Sequence, residues 1–71
     1  MSDFLFIIPE GWVQIPEEVI SQIGSLVTDW VNMQNWTELS DALKVQGAIP
    51  QDMNVAEAKF FNGEVLVVKL G

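Results

Sequence analysis

Carboxylates are the side chains of this chain that come closest to offering acid–base or metal chemistry. Glu17 and Glu18 are adjacent, Glu38 and Asp41 are three positions apart, and Asp52 opens the segment Asp52-Met53-Asn54. The chain contains no His, Cys, Tyr or Arg. It therefore lacks the commonest general base, a thiol nucleophile and the Cys and His ligands of structural zinc. We expect neither enzymatic activity nor a cofactor nor a metal site.

Each of these acidic groups has a simpler structural explanation. Carboxylates in the first turn of a helix favour the positive end of its dipole, which accounts for Glu17 and Glu18. Glu38 and Asp41 supply far fewer ligands than the roughly six to eight oxygens that Ca²⁺ takes. Residues 52–54 lack the ligand spacing of an EF-hand loop. The glycines fit neither a dinucleotide-binding fingerprint nor a P-loop.

The composition is that of one small, acidic domain spanning residues 1–71. Ten Asp and Glu oppose three Lys, the net charge is -7, and 49% of the residues are hydrophobic. A field of this sign repels phosphates and anionic membranes, so we expect neither nucleic acid nor a membrane as the partner. No apolar run approaches the roughly 20 residues of a membrane span, and no signal-peptide pattern is present. We therefore expect a chain that is not secreted.

Apolar periodicity and turn residues divide the first half of the chain into a strand and a long helix. The apolar run at residues 3–8 predicts the first strand, and residues 12–15 predict an extended segment. Pro16 marks the start of the helix, within which Gly24 is an unfavourable interior residue. The apolar stripe of this helix consists of Val19, Ile20, Ile23, Leu26, Val27, Trp30 and Val31.

A shorter helix, a connector and a hairpin complete the predicted order. Thr37 is the expected cap of the second helix, which begins near Glu38 and stops at Gly47. Residues 48–54 form the connector. We predict an α+β fold of order β-α-α-β-β. The N-terminal strand and a C-terminal Asn-Gly hairpin form a three-stranded sheet with both helices on one face.

The hairpin centres on Asn62-Gly63, a dipeptide typical of a two-residue type I′ turn. Such a turn places Phe61 opposite Glu64, and the pairing continues outward from there. Small side chains let a helix approach closely, so the predicted core face carries Ala56, Ala58, Phe60, Val65 and Val67. The opposite face then exposes Val55, Phe61, Leu66, Val68 and Leu70.

An exposed apolar sheet face of this kind is typical of a protein–protein interface. Its five apolar side chains are therefore predicted to bind a partner subunit. Trp12 and Trp36, one after a turn and one in an interhelical break, are further candidate partner contacts, with rim or core packing as the other interpretation. One alternative stays open: residues 12–15 or residues 48–54 fold across this face and cover it.

Strand addition is a second route to a partner. A three-stranded sheet has two open edges, and Lys59 and Lys69 are the lysines of the hairpin that can protect them. An extended segment of a neighbouring subunit can pair with an edge that is not protected. Both routes predict other protein subunits as partners, in a larger assembly or a homo-oligomer.

The opening stretch Phe4–Val13 reads Phe-Leu-Phe-Ile-Ile-Pro-Glu-Gly-Trp-Val. It resembles the starts of small virion proteins encoded among the structural genes of tailed bacteriophages. This resemblance implies a non-enzymatic structural protein, a minor tail or capsid-associated component of a virion that is assembled in the bacterial host cytoplasm. It carries over no site residues.

An acidic inhibitor that imitates nucleic acid and binds a basic host protein is the alternative function. The net charge of -7 permits it. Mimicry of duplex phosphates requires dense rows of carboxylates, whereas this chain scatters its acids and gives its long helix a mostly neutral polar face. We rank this alternative second and a small regulatory binding module third.

Overall fold

Short helices and a three-stranded antiparallel sheet form the fold. The computed structural model describes residues 8–61 and 63–71. Within these residues the chain runs β1 (Trp12–Gln14), α1 (Glu17–Ile23), α2 (Leu26–Asn32), α3 (Trp36–Val45), β2 (Val55–Phe61) and β3 (Val65–Leu70). The sheet order is β1-β3-β2, so β3 is the central strand and pairs antiparallel with both neighbours.

The predicted fold of order β-α-α-β-β with two helices is wrong, because the described order is β-α-α-α-β-β. Of the predicted first strand, residues 3–7 lie outside the described residues, and Ile8 belongs to no strand. The strand that completes the sheet is β1, which falls within the segment that the sequence predicted only as extended. Its residues pair with residues 67–69 of β3. The Ile15 N–H continues this pairing by donating to the Leu66 carbonyl oxygen at 2.9 Å.

Gly24 divides the predicted long helix into α1 and α2. Its backbone has a φ of 92° and a ψ of -162°, a region that is essentially restricted to glycine and lies outside the helical range. The Gly24 N–H donates to the Ile20 carbonyl oxygen at 2.8 Å and so ends α1. A Cβ atom here would have no heavy-atom neighbour within 4 Å among the described residues. The backbone conformation, and not close packing, therefore requires glycine.

Helix α3 begins two residues earlier than predicted, with Asn35 rather than Thr37 as its N-cap. The Asn35 side-chain oxygen accepts a hydrogen bond from the Glu38 N–H at 3.4 Å, which satisfies one of the free N–H groups of the first turn. Gly47, with a φ of 72°, ends the helix as predicted. Local residues therefore set both ends of α3.

The hairpin register differs from the predicted register by one residue. Phe61 pairs with Val65 rather than with Glu64, and the shift continues along the hairpin to the pair Glu57–Lys69. A β-bulge between Val55 and Glu57 then removes it, so Val55 lies opposite Leu70 as predicted. Residues 62–64 therefore separate the strands, and the Glu64 N–H donates to the Phe61 carbonyl oxygen at 3.0 Å. Because side chains alternate along a strand, a shift of one residue exchanges the two faces of β3.

The core lies between the sheet and the helices. We call the side of the sheet that packs against the helices the inner face. Its core members on the hairpin are Val55, Ala58, Leu66 and Val68. Leu39 and Leu43 of α3 are fully buried against them, whereas α1 has no buried residue. The helical layer is therefore well packed under α3 and only partly covered at α1 and α2.

Candidate protein interaction site

The side chains predicted to form an exposed partner surface mostly belong to the core. Leu66 and Val68 are 0% exposed, Val55 is buried, and Leu70 is half-buried and packs against the same cluster. The prediction that these four side chains point away from the helices is wrong. The one-residue shift of the hairpin register is the physical reason for Leu66, Val68 and Leu70, and the β-bulge between Val55 and Glu57 is the reason for Val55. A role of these residues in binding a partner remains a prediction, although on the folded chain three of the four are buried and Leu70 is half-buried.

The predicted core face is corrected by the same shift. Val65 and Val67 lie on the side of the sheet away from the helices, which we call the outer face, and Ala56 is exposed. Ala58 and Phe60 do pack against the core as predicted. A β-bulge between Val55 and Glu57 explains why Val55 and Ala58 can share the inner face despite their spacing.

Phe61 and Trp12 are the members of the predicted surface that lie on the outer face. Each is half-buried, and the Lys59 ammonium lies between them, 4.9 Å from the centre of the Trp12 ring and 5.1 Å from that of Phe61. Both distances are within the range of a cation–π interaction. Val67, on the same face, is fully buried. Residues 12–15 thus add a strand to the sheet, and the outer face is partly covered by its own side chains.

Trp36, the last candidate contact, lines a cleft between α3 and the start of β2. The cleft has a volume of about 380 Å³ and is lined by Trp36, Thr37, Ser40, Asp41, Asn54 and Val55. Its buried polar side chain is already paired, because the Ser40 hydroxyl oxygen accepts a hydrogen bond from the Val55 N–H at 2.8 Å. No group of three or more His, Cys, Asp and Glu side chains within the described ranges is arranged to hold a metal ion.

Most of the large apolar side chains that are exposed lie on or beside the helices, with Val13 of β1 also exposed, and sequence reasoning missed them. Leu26 is 52% exposed and Met33 is 70% exposed. With the half-buried Trp30 they occupy positions i, i+4 and i+7, which form one face along α2. The signal was the width of the apolar stripe predicted for the long helix, which exceeds the width that one packed helix face buries.

The charges are distributed differently from the apolar surface. Every carboxylate that the structure describes is exposed: Glu10, Glu17, Glu18, Asp29, Glu38, Asp41, Asp52, Glu57 and Glu64. Two of the chain's three lysines, Lys59 and Lys69, lie on the outer face of the sheet. Lys44 instead donates a hydrogen bond to the Asn54 side-chain oxygen at 2.8 Å. The outer face is thus the least acidic part of this surface.

Comparison with protein families, with curated proteins and with solved structures finds no match to this chain. None of the helices within residues 8–61 and 63–71 has both the length and the apolar character needed to cross a bilayer.

Proposed function

We propose that this chain is a non-enzymatic structural subunit that acts through contacts with other protein subunits. The observation that carries the proposal is the apolar face of α2 and its C-cap, on which Leu26 and Met33 are exposed and Trp30 is half-buried. Single exposed apolar residues are ordinary, but a row of large ones along a helix is typical of a contact surface. This face belongs to the helical layer in which α1 has no buried residue. A second protein that covers α2 would complete that layer.

The finer proposal is a minor tail or capsid-associated component of a bacteriophage virion, assembled in the bacterial host cytoplasm. The resemblance of residues 4–13 to the starts of such proteins supports it. The described part of that stretch contains a turn, closed by a hydrogen bond of 3.1 Å from the Trp12 N–H to the Pro9 carbonyl oxygen, and the beginning of β1. This role requires no catalytic group and no cofactor, and its partners are proteins rather than nucleic acid or membrane.

A paired-variant sedimentation experiment tests the contact surface. The chain carries a C-terminal tag, is expressed in its source cells, and the lysate is separated on a sucrose gradient. We expect the wild type to sediment with a large particle. The double variant Leu26→Glu with Met33→Glu should remain at the top of the gradient, because burying an ionised carboxylate in an apolar contact costs far more than the roughly 2–7 kcal/mol of an unpaired neutral polar group.

The matched control places the same two charges on the polar side of the same helix. Thr28→Glu with Asn32→Glu changes exposed positions only and should sediment like the wild type. Circular dichroism of both purified double variants establishes that each is folded. The proposal would be overturned by a wild-type chain that never enters a particle, or by two double variants that sediment alike.

An acidic inhibitor that binds a basic host protein is the second candidate. The exposure of every described carboxylate favours it, since these charges are available to a cationic surface. The carboxylates are not arranged in rows, however: α1 carries Glu17 and Glu18, α2 carries Asp29, and α3 carries Glu38 and Asp41. A phosphate backbone is charged at every step, so mimicry by such scattered acids is weaker.

Binding to a purified histone octamer distinguishes the two candidates. The inhibitor predicts an affinity that falls steeply between low and moderate salt and is competed by duplex DNA. The structural subunit predicts no competition by DNA, because its contact is apolar. Binding that is indifferent to salt and to DNA would exclude the inhibitor.

A further inference from the structure

Strand β2 is one of the two edge strands of the sheet, and it is longer than the other, β1. The sheet order β1-β3-β2 leaves β2 with β3 on one side and no other described strand on the opposite side. The bulge between Val55 and Glu57 confines the regular part of this edge to residues 57–61. An edge of this kind can pair with another extended segment.

The direction of its backbone groups follows from one hydrogen bond. The Ile15 N–H donates to the Leu66 carbonyl oxygen, so the backbone groups of Leu66 point toward β1. Alternate residues of an antiparallel strand point the same way, which adds Val68 to this set. Their partners in β2, Phe60 and Ala58, therefore point away from β3 and toward the free edge.

The other end of the same edge is already closed. The outward Val55 N–H is satisfied by the Ser40 hydroxyl oxygen at 2.8 Å, which places α3 against that end of β2. Among the described residues no comparable hydrogen bond is found for the outward groups of Ala58 and Phe60. These two residues are the part of the edge that an incoming strand can use.

We infer that β2 pairs antiparallel with β2 of a second copy of this chain, about a two-fold axis at Ala58. The pairing joins the two sheets into one continuous sheet with both helical layers on the same side. Such an interface is isologous, so each contact occurs twice. The inference rests on the proposed role as an assembly subunit and names its partner as a second copy.

The charges on β2 favour this register over a register whose two-fold axis is shifted by one residue. With Ala58 opposite Ala58 of the second copy, Glu57 lies opposite Lys59 of that copy. By symmetry, Lys59 of the first copy lies opposite Glu57 of the second. Lys69 is the partner of Glu57 within the hairpin. Lys69 and Glu57 of one copy and Lys59 of the other therefore form a row of side chains whose charges alternate in sign. A shift of the axis to Lys59 instead places two lysines directly opposite each other, which destabilises a strand pair.

Equilibrium sedimentation of the full chain with charge-reversed variants tests the register. We use about 0.15 M salt, where a Debye length of about 8 Å screens distant charges but not opposed side chains. The wild type should form a weak, concentration-dependent dimer. Glu57→Lys and Lys59→Glu each place like charges opposite twice per dimer, so each should raise the dimer Kd about tenfold. The double variant restores opposite signs and should return to within about threefold of the wild type.

The controls separate register from net charge and from the Trp12 contact. Glu64→Lys and Lys44→Glu make the same changes in net charge away from the paired segment and should leave the Kd unchanged. The variant that combines Glu57→Lys with Lys59→Glu has also lost the Lys59 ammonium over Trp12, so the recovery of its dimer Kd cannot come from that contact. Hydrogen exchange at high concentration should show protection of the Ala58 amide, which lies at the axis of the pairing.

Two outcomes overturn the inference. One is a wild type that is monomeric at every concentration. The other is a dimer whose Kd does not respond to the single reversals or is not rescued by the double variant. If Leu26→Glu with Met33→Glu abolishes that dimer, the contact lies on α2, and the proposed function stands while the strand pairing fails. If the strand pairing is found but the chain never enters a particle, the strand pairing stands and the proposed function fails.

Discussion

The inner and outer faces of this sheet are held in different ways. Leu66 and Val68 of the inner face are covered by helices that come from elsewhere in the chain. Val67 of the outer face is equally buried, but the groups described on its side are Trp12, Lys59 and Phe61 of the sheet itself. The inner face is therefore a core that depends on tertiary packing. On the outer face, the groups described around Val67 are side chains of the sheet itself, and Lys59 among them is exposed.

This difference teaches that burial alone does not identify the core of a small domain. A fully buried valine occurs on both faces, yet only the inner one belongs to a cluster contacted by all three helices. We expect substitutions on the inner face to change the free energy of unfolding most, and substitutions on the outer face to change it least.

Leu66→Ala should have the largest effect. The side chain is fully buried in the inner face, so its loss leaves a cavity and should lower the free energy of unfolding by about 2–5 kcal/mol. That is a large fraction of the roughly 5–15 kcal/mol of a whole domain. Urea unfolding followed by tryptophan fluorescence measures it. Val65→Ala, on the outer face of the same strand, is the control, and an equal loss there would erase the distinction between the faces.

Ser40→Ala should have an intermediate effect on the free energy of unfolding, because Ser40 joins α3 to the start of β2. It leaves the buried Val55 N–H without its acceptor, which should cost about 1–3 kcal/mol. Ser21→Ala makes the same chemical change on an exposed helix position and should cost nothing measurable. Thermal unfolding of both variants compares them. Equal melting temperatures for the two would mean that the hydroxyl does not hold α3 to β2.

Lys59→Met should have the smallest effect of the three. The substitution keeps an apolar stem and removes the ammonium between Trp12 and Phe61, at a cost of about 0.5–1 kcal/mol. Lys69→Met removes a charge from the same face and serves as the control. The same urea titration applies, and a loss as large as that of Leu66→Ala would show that the outer face is a second core.

Local signals in the sequence predicted the parts of the fold that local chemistry decides. The helix start at Pro16, the stop at Gly47 and two hairpin strands near Asn62-Gly63 each follow from residues close in sequence. Gly24 was recognised as unfavourable within a helix. Its role as the break between α1 and α2 depends on a φ that sequence does not state.

The face assignment could not be predicted because it depends on a single residue of register. Asn-Gly favours a two-residue turn, but three residues separate the strands here, and Phe61 pairs with Val65. Since neither face of the hairpin is plainly polar, no pattern in the sequence reveals the slip. The same ambiguity hid the exposed side of α2, whose apolar residues all looked suited to a core.

Thiol labelling tests most directly which apolar residues are inside and which are available to a partner. The natural chain has no Cys, so Leu26→Cys and Val68→Cys each provide one reactive group. In the isolated folded chain we expect Leu26→Cys to react like an exposed thiol, and Val68→Cys to react more than about a hundredfold more slowly, because its reaction requires opening of the core. Both variants should react alike in urea. Equal rates in the folded chain, or faster reaction at position 68, would contradict the inner-face assignment. Either result would mean that Val68 is exposed and available to a partner.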